Sequence, residues 1–257
     1  MKLTVTVITL NEASDITGAL ESVGWADEIL VVDSGSTDGT VDLARARGAR
    51  VLAREWPGYS AQRNFASDTA AHDWILSLDA DERVTPELAV EIRELMARGP
   101  DARGYRVPRV TRYLGRWVRT TDWFPDYQLR LYDRRAGRWN GRRVHESFQL
   151  TEGRPSQLRG ELQHHAYRDI SDHLQKIDAY TTLSADQSQQ QGRRTHALAI
   201  AAHPLAAFIR NFVLRGGFRD GAAGLIISVL NSYYVFLKLA KLWERQRGPG
   251  GRGCEPR

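Results

Sequence analysis

The sequence predicts an α/β fold: a Rossmann-like, mostly parallel central sheet with flanking helices, followed by a helical C-terminal extension. Three observations predict it. Apolar runs of strand length alternate with helix-period segments over roughly the first hundred residues, as in a parallel sheet covered on both faces. Polar clusters follow three of these runs, at the strand ends where such sheets bind ligands. The segment from Ala197 to Arg247 is the most apolar of the chain. The expected division is 1–168, an α/β domain; 169–247, a helical region; and 248–257, a disordered tail.

The elements follow in order. Leu3 to Leu10 reads as a buried strand. Ser14 then caps a helix that carries Ile16, Ala19, Leu20 and Val23 on one face. Glu28 to Val32 is the second strand, and Thr37 to Arg47 a helix ending at Gly48. Arg50 to Arg54 is a short strand, Tyr59 to Ala70 a helix, and Trp74 to Leu78 the fourth strand. Thr85-Pro86 opens a helix with proline at its first position, and Leu88, Ile92 and Leu95 form its buried stripe. From Gly104 to about Leu150 the pattern is strand-like and rich in arginine and aromatics. Ser171 to Gln190 returns to helical spacing, with Leu174, Ile177, Tyr180 and Leu183 in register.

The bulk composition is that of a globular protein, 42% apolar and 26% charged over 257 residues. The net charge of +5 favours anionic partners: nucleic acid, a membrane surface or phosphorylated substrates. The single cysteine, Cys254, permits no disulfide within the chain, which fits a reducing compartment. "MKLTVTVITLNEAS" alternates apolar residues with threonine and runs into Asn11-Glu12. It reads as the first strand and not as a signal peptide, so the catalytic region is expected to be cytoplasmic.

"WILSLDADERVTP" ends an apolar strand with Asp79, Asp81 and Glu82. Like charges repel, so a partner cation is expected. Residues two apart in a strand point the same way, so Asp79 and Asp81 can face one hard divalent ion, Mg²⁺ or Mn²⁺. The alternative is a solvated loop with Asp79 as a helix cap. "VVDSGSTDGT" sets Asp33 and Asp38 among turn-forming residues that let a ligand approach the backbone. Asp33 could accept hydrogen bonds from a base or ribose; the alternative is a turn plus a cap.

Taken in order, "VITLNEASDI", "ILVVDSGSTDGT", "AQRNFA" and "WILSLDADE" resemble the GT-A catalytic domain of glycosyltransferase family 2, over about residues 3 to 83. The resemblance implies an inverting, metal-dependent transferase that uses a nucleotide-sugar. It implies Asp33 at the nucleobase, Asp81 as the direct metal ligand and Asp79 close to the ribose and metal. Asn11 and Glu12 would line the nucleotide pocket, and Arg63 would lie near the nucleotide or hold Asp79.

Inversion needs a base for the acceptor hydroxyl. The family's Glu-Asp pair after the fifth strand has no obvious counterpart here. The chain offers "FPDYQLRLYDR" and "GRRVHESF" instead. R-L-Y followed by V-H-E resembles bacterial β-glucosyltransferases that extend the lipopolysaccharide inner core. That resemblance implies UDP-linked glucose as donor and a lipid-linked glycan as acceptor. Glu146 is the first choice as base and Asp126 the second, with His145 orienting Glu146 or touching the diphosphate; the alternative for Val144-His145-Glu146 is a surface strand with a cap. Family members often take a third metal ligand from a C-terminal histidine. "ELQHHAYRD" supplies His164 and His165, of which His165 is favoured, or both are structural.

Arg103, Arg106, Arg109, Arg112, Arg116 and Arg119 run alongside Tyr105, Tyr113 and Trp117. They fit a phosphorylated sugar-lipid, nucleic acid or a solvated face; with the upstream motifs the sugar-lipid is preferred and no nucleic-acid partner is expected. Arg130 would hold a phosphate or pair with Asp126. Ala222 to Leu237 is uncharged but short for a membrane span. With Arg210, Arg215 and Arg219 before it, this region reads as interfacial, giving a peripheral protein on the cytoplasmic face of the inner membrane. A helical pair closing the core, a dimer contact or a true span are the alternatives. "GPGGRG" in the tail matches a dinucleotide fingerprint but follows no strand and opens no helix. A non-catalytic nucleotide-sugar or glycan-binding protein is the alternative function. A nucleotidyltransferase would carry a glycine-rich basic loop where "TLNEAS" stands.

Overall fold

The computed structural model describes residues 1–140 and 147–247. Two compact units emerge: Met1–Thr111 with Pro125–His165, and Arg112–Phe124 with Ala166–Arg257. The strand-rich region is thus shared between the units, where a division at 168 was expected.

The first unit opens with β1 (Leu3–Thr9), α1 (Ile16–Glu21), β2 (Glu28–Asp33), α2 (Thr40–Ala46), β3 (Arg50–Ala53), α3 (Tyr59–Thr69) and β4 (Trp74–Asp79). These elements match the expected alternation, with shifts at their ends. α2 starts three residues late because Gly39 takes a left-handed conformation, φ 88°, ahead of it. Next come β5 (Glu82–Val84), α4 (Pro86–Arg98) and β6 (Gly104–Tyr113), which runs on into the second unit; β7 (Arg116–Val118) lies within that unit. β8 (Asp126–Asp133), β9 (Gly137–Trp139), β10 (Phe148–Leu150), β11 (Ser156–Gln157) and β12 (Leu162–His164) complete the strands.

The main sheet runs β3-β2-β1-β4-β8-β6-β12-β5. β3, β2, β1 and β4 are parallel; β8 is antiparallel to both β4 and β6. This is the GT-A arrangement of a mostly parallel sheet extended by mixed strands. Alternate residues divide between its faces. Val5, Val7, Leu76 and Leu78 meet Ile16, Leu20, Leu88 and Ile92 on one side. Ile8, Leu30, Val32 and Ile75 meet Ala66, Tyr132 and Trp139 on the other. Two-sided burial explains why these strands read as unbroken apolar runs.

The second unit contains α5 (Ile170–Gln190), α6 (Ala197–Ile209) and α7 (Gly221–Arg247). Asn211, fully buried, accepts the Asp122 N–H at 2.8 Å and donates to the Ala207 carbonyl at 3.0 Å, tying the 112–124 segment to the helices. Ser232 donates to the Pro204 carbonyl at 2.8 Å, joining α7 to α6. Gly224 admits no side chain, since a Cβ there would lie 1.8 Å from the Gly217 carbonyl oxygen. Ala197–Leu214 and Gly217–Arg247 are both long and apolar enough to cross a membrane, and their most apolar windows are only 17% and 22% buried.

Candidate functional site

Register brings the polar clusters together. Thr9 of β1 pairs with Asp33 of β2, and Ile8 pairs with Asp79 of β4. The carboxyl ends of three adjacent strands therefore carry Asn11 and Glu12, Asp33, and Asp79 to Glu82.

Asn11 adopts φ 56°, which asparagine tolerates better than most residues. Its N–H donates to Ser36 Oγ and its Oδ1 accepts from Thr37 N–H, both at 2.8 Å. Glu12 N–H donates to Thr40 Oγ1 at 2.9 Å. The first loop is thus fastened to the second. Asp33 is 3% exposed, and its Oδ2 accepts the N–H groups of Gly35 and Ser36 at 2.9 Å each. It builds the turn; a carboxylate's further lone pairs still allow a ligand N–H. Asp38 accepts from Ala13 N–H at 3.0 Å and Thr40 N–H at 3.2 Å, holding the start of α2.

The cations beside Asp79 and Glu82 are arginines. Arg63 from α3 pairs with Asp79 and donates to Ser77 Oγ at 3.0 Å. Arg130 from β8 reaches Asp79 Oδ2 at 2.7 Å and Glu82 Oε1 at 2.6 Å. Arg109 from β6 reaches the same Glu82 oxygen at 3.0 Å. Arg63 and Arg130 are 3% and 4% exposed and Glu82 is 0%. Charges so buried persist only when paired. Burial pushes the Asp79 carboxyl upward, but Arg63 and Arg130 outweigh it and hold the group well below the usual carboxylate range. Burial likewise opposes charge on Arg130 and Arg109, and the neighbouring carboxylates reverse it, raising both.

One contact of this network was among the expectations from the sequence. The alternatives for Arg63 included holding Asp79, and the structure has that contact. Arg130 was expected on a phosphate or Asp126; it binds Asp79 and Glu82, while Arg109 takes Asp126 at 2.9 and 2.6 Å. Arg103 binds Asp133 at 2.8 Å. Two members of the basic run therefore serve protein carboxylates. Asp126 is held again by Gln128 at 2.6 Å. The short strands β5 and β12 were unforeseen: three residues are too few to show a period.

Asp81 differs from its neighbours in its partner. Its side chain is as exposed as that of Asp79, and it faces His164, with Nε2 3.4 Å from Oδ2. The other imidazole nitrogen, Nδ1, lies 3.3 Å from Thr111 Oγ1, which orients the ring. His165, favoured in the sequence, meets Asp81 through its backbone: its N–H donates to the Asp81 carbonyl at 2.9 Å. Among the described residues no three His, Cys, Asp or Glu side chains are grouped for a metal. Mg²⁺ needs no such cage, since one or two protein ligands suffice beside substrate phosphates and water. Asp81 and His164 fit that role; the Asp79 oxygens are occupied by guanidinium groups. His145 and Glu146 lie outside the described residues.

A lipopolysaccharide core biosynthesis glycosyltransferase of Rhizobium meliloti, LpsC, is 31% identical over 95% of this chain and 93% of its own. An uncharacterized glycosyltransferase of Rickettsia typhi is 30% identical over 95% and 87%. A crystal structure of Mycobacterium tuberculosis glucosyl-3-phosphoglycerate synthase with Mn²⁺, uridine diphosphate and glucosyl-3-phosphoglycerate matches 43% of this chain and 44% of its own, at 26% identity and a TM-score of 0.37. The model of glycosyl transferase family 2 matches residues 4–151, and with the full-length likeness to LpsC it shows that this chain belongs to that family.

Proposed function

We propose that the protein transfers glucose, with inversion, from a UDP-linked donor to a lipid-linked glycan, the lipopolysaccharide inner core, at the cytoplasmic face of the inner membrane. The observation that carries the donor site is the meeting of Asn11, Asp33 and Asp81 at three adjacent strand ends, with Asp79 neutralised by arginine and Asp81 left facing His164. The full-length likeness to LpsC supports the acceptor class. Asp33 takes the nucleobase, and Asn11 and Glu12 line the nucleotide. Asp81 and His164 are the groups that would hold a divalent ion, which when bound neutralises charge on the departing diphosphate. Glu146 is the proposed base. Asp126 is second, because Arg109 and Gln128 already engage it.

Thermal stability with UDP, GDP, ADP, dTDP and CMP, each with and without Mn²⁺ or Mg²⁺, tests the donor site. A native-state ligand raises the melting temperature according to its affinity. A metal-dependent shift with UDP and release of free UDP from the sugar donor are expected. Release of pyrophosphate would mark a nucleotidyltransferase, and a nucleotide shift without turnover a binding protein.

A further inference from the structure

Within the second unit lies a cavity of about 150 Å³, walled by Trp123, Tyr167, Tyr180 and Tyr234. Its aromatic wall is fixed from behind. Trp123 and Tyr167 stack with centroids 5.2 Å apart and planes 15° from parallel. Tyr113, 1% exposed, meets both edge-on, and its hydroxyl lies 3.0 Å from His173 Nδ1. Rings locked this way offer a preformed face.

Apart from the Lys176 ammonium, which is paired with Asp172, the polar groups of the cavity are neutral. His173, 5% exposed, lines it. Burial, then Lys176, pushes its imidazole down to about 4, so it is uncharged at neutral pH. Asn231 adds an amide. Lys176 also reaches the lining, but its ammonium binds the Asp172 carboxylate at 3.0 Å and the Ala166 carbonyl. No guanidinium and no carboxylate line this space. The site therefore suits neither phosphate nor a free acid.

Aromatic walls with a few convergent neutral donors and acceptors match an uncharged sugar ring. Its C–H face lies on an aromatic ring, and its hydroxyls bond amide, imidazole and phenol. The volume admits one ring; it falls below the ~300–1,000 Å³ of pockets that take larger ligands. We infer that this cavity is a subsite for one neutral sugar residue of a glycan. The assignment rests on the proposed transferase for its meaning, as a recognition site for the acceptor saccharide.

The test is saturation-transfer NMR on the full chain in a sugar-free zwitterionic detergent. The probes are methyl hexosides, a methyl heptoside and uridine. Ring protons of at least one glycoside should receive saturation from the wild-type protein, and excess UDP should not displace it. Asn231→Ala and the half-exposed Tyr180→Ala should each weaken that binding about tenfold, with unchanged circular dichroism. Silence from every glycoside with folded wild-type protein overturns the assignment. So do unchanged affinities in both variants, displacement by UDP, or saturation of uridine alone. Release of UDP from the donor with water as acceptor, measured on the same proteins, tests the transferase separately and should be unaffected by Tyr180→Ala.

Discussion

Glu82 holds the backbone of Asp79: its Oε2 accepts the Asp79 N–H at 3.0 Å, while its Oε1 takes Arg109 and Arg130. A fully buried carboxylate thus fixes the strand end from which the D-x-D pair projects. Glu82 gives positional order, Asp79 is charge-balanced from both sides by arginines, and Asp81, equally exposed, faces the His164 imidazole instead.

Glu82→Gln should therefore destabilise the protein strongly. The amide keeps the shape but leaves Arg130 and Arg109 short of one negative charge in a buried place. Breaking such a pair costs about 3 kcal/mol or more. The urea midpoint measures it. Asp81→Asn, at a half-exposed position, should cost less than about 1 kcal/mol. Equal losses for the two variants would contradict the division of roles.

Asp81→Ala should nevertheless lower sugar transfer by at least about a hundredfold, and should abolish the metal-dependent thermal shift with UDP. His164→Ala should weaken metal binding roughly 10–100-fold while leaving metal-free nucleotide binding in place. Full transfer by a folded Asp81→Ala protein would falsify the metal assignment.

The parallel half of the sheet was legible because its strands are buried on both faces, so β1, β2 and β4 are apolar runs ended by polar clusters. The family was legible for the same reason: its motifs sit at those strand ends. Most of the ion network was not. The resemblance offered Arg63 as a partner of Asp79, but Arg130 lies 51 residues from Asp79, and only the fold brings it there. Arg109 looked like an acceptor-binding residue because a basic run shows charge but not its partners. His164 and His165 are adjacent, and the end of β12 decides which ring meets Asp81.

Acid should destabilise the second unit through His173. Its folded value, about 4, lies below the ordinary 6.5 because burial disfavours the imidazolium. Between those values the unfolded chain binds a proton that the folded chain does not. Stability is therefore full above about 6.5 and falls as pH drops toward 4. His173→Gln should flatten the slope of the denaturation midpoint over that window. Asp79 adds a second window at lower pH. Its folded value is depressed, so its contribution is present above about 3.9 and is lost only at strongly acidic pH.

Membrane association should depend on the exposed apolar residues of the helical region. Leu205, Ile209, Val213, Leu214 and Phe218 are each at least 44% exposed, and Arg210, Arg215 and Arg219 lie among them. Apolar side chains interleaved with arginines suit the headgroup boundary of an anionic bilayer. Each such side chain transferred from water to lipid contributes about 1.5–3 kcal/mol. A Leu205→Glu, Leu214→Glu double variant should therefore bind anionic vesicles at least about a hundredfold more weakly in flotation assays. Raising salt should weaken the wild type only partly, because it screens the arginines and leaves apolar insertion intact. Release by salt alone would make the attachment electrostatic. Retention after salt, carbonate extraction and both substitutions would point to helices that span the bilayer.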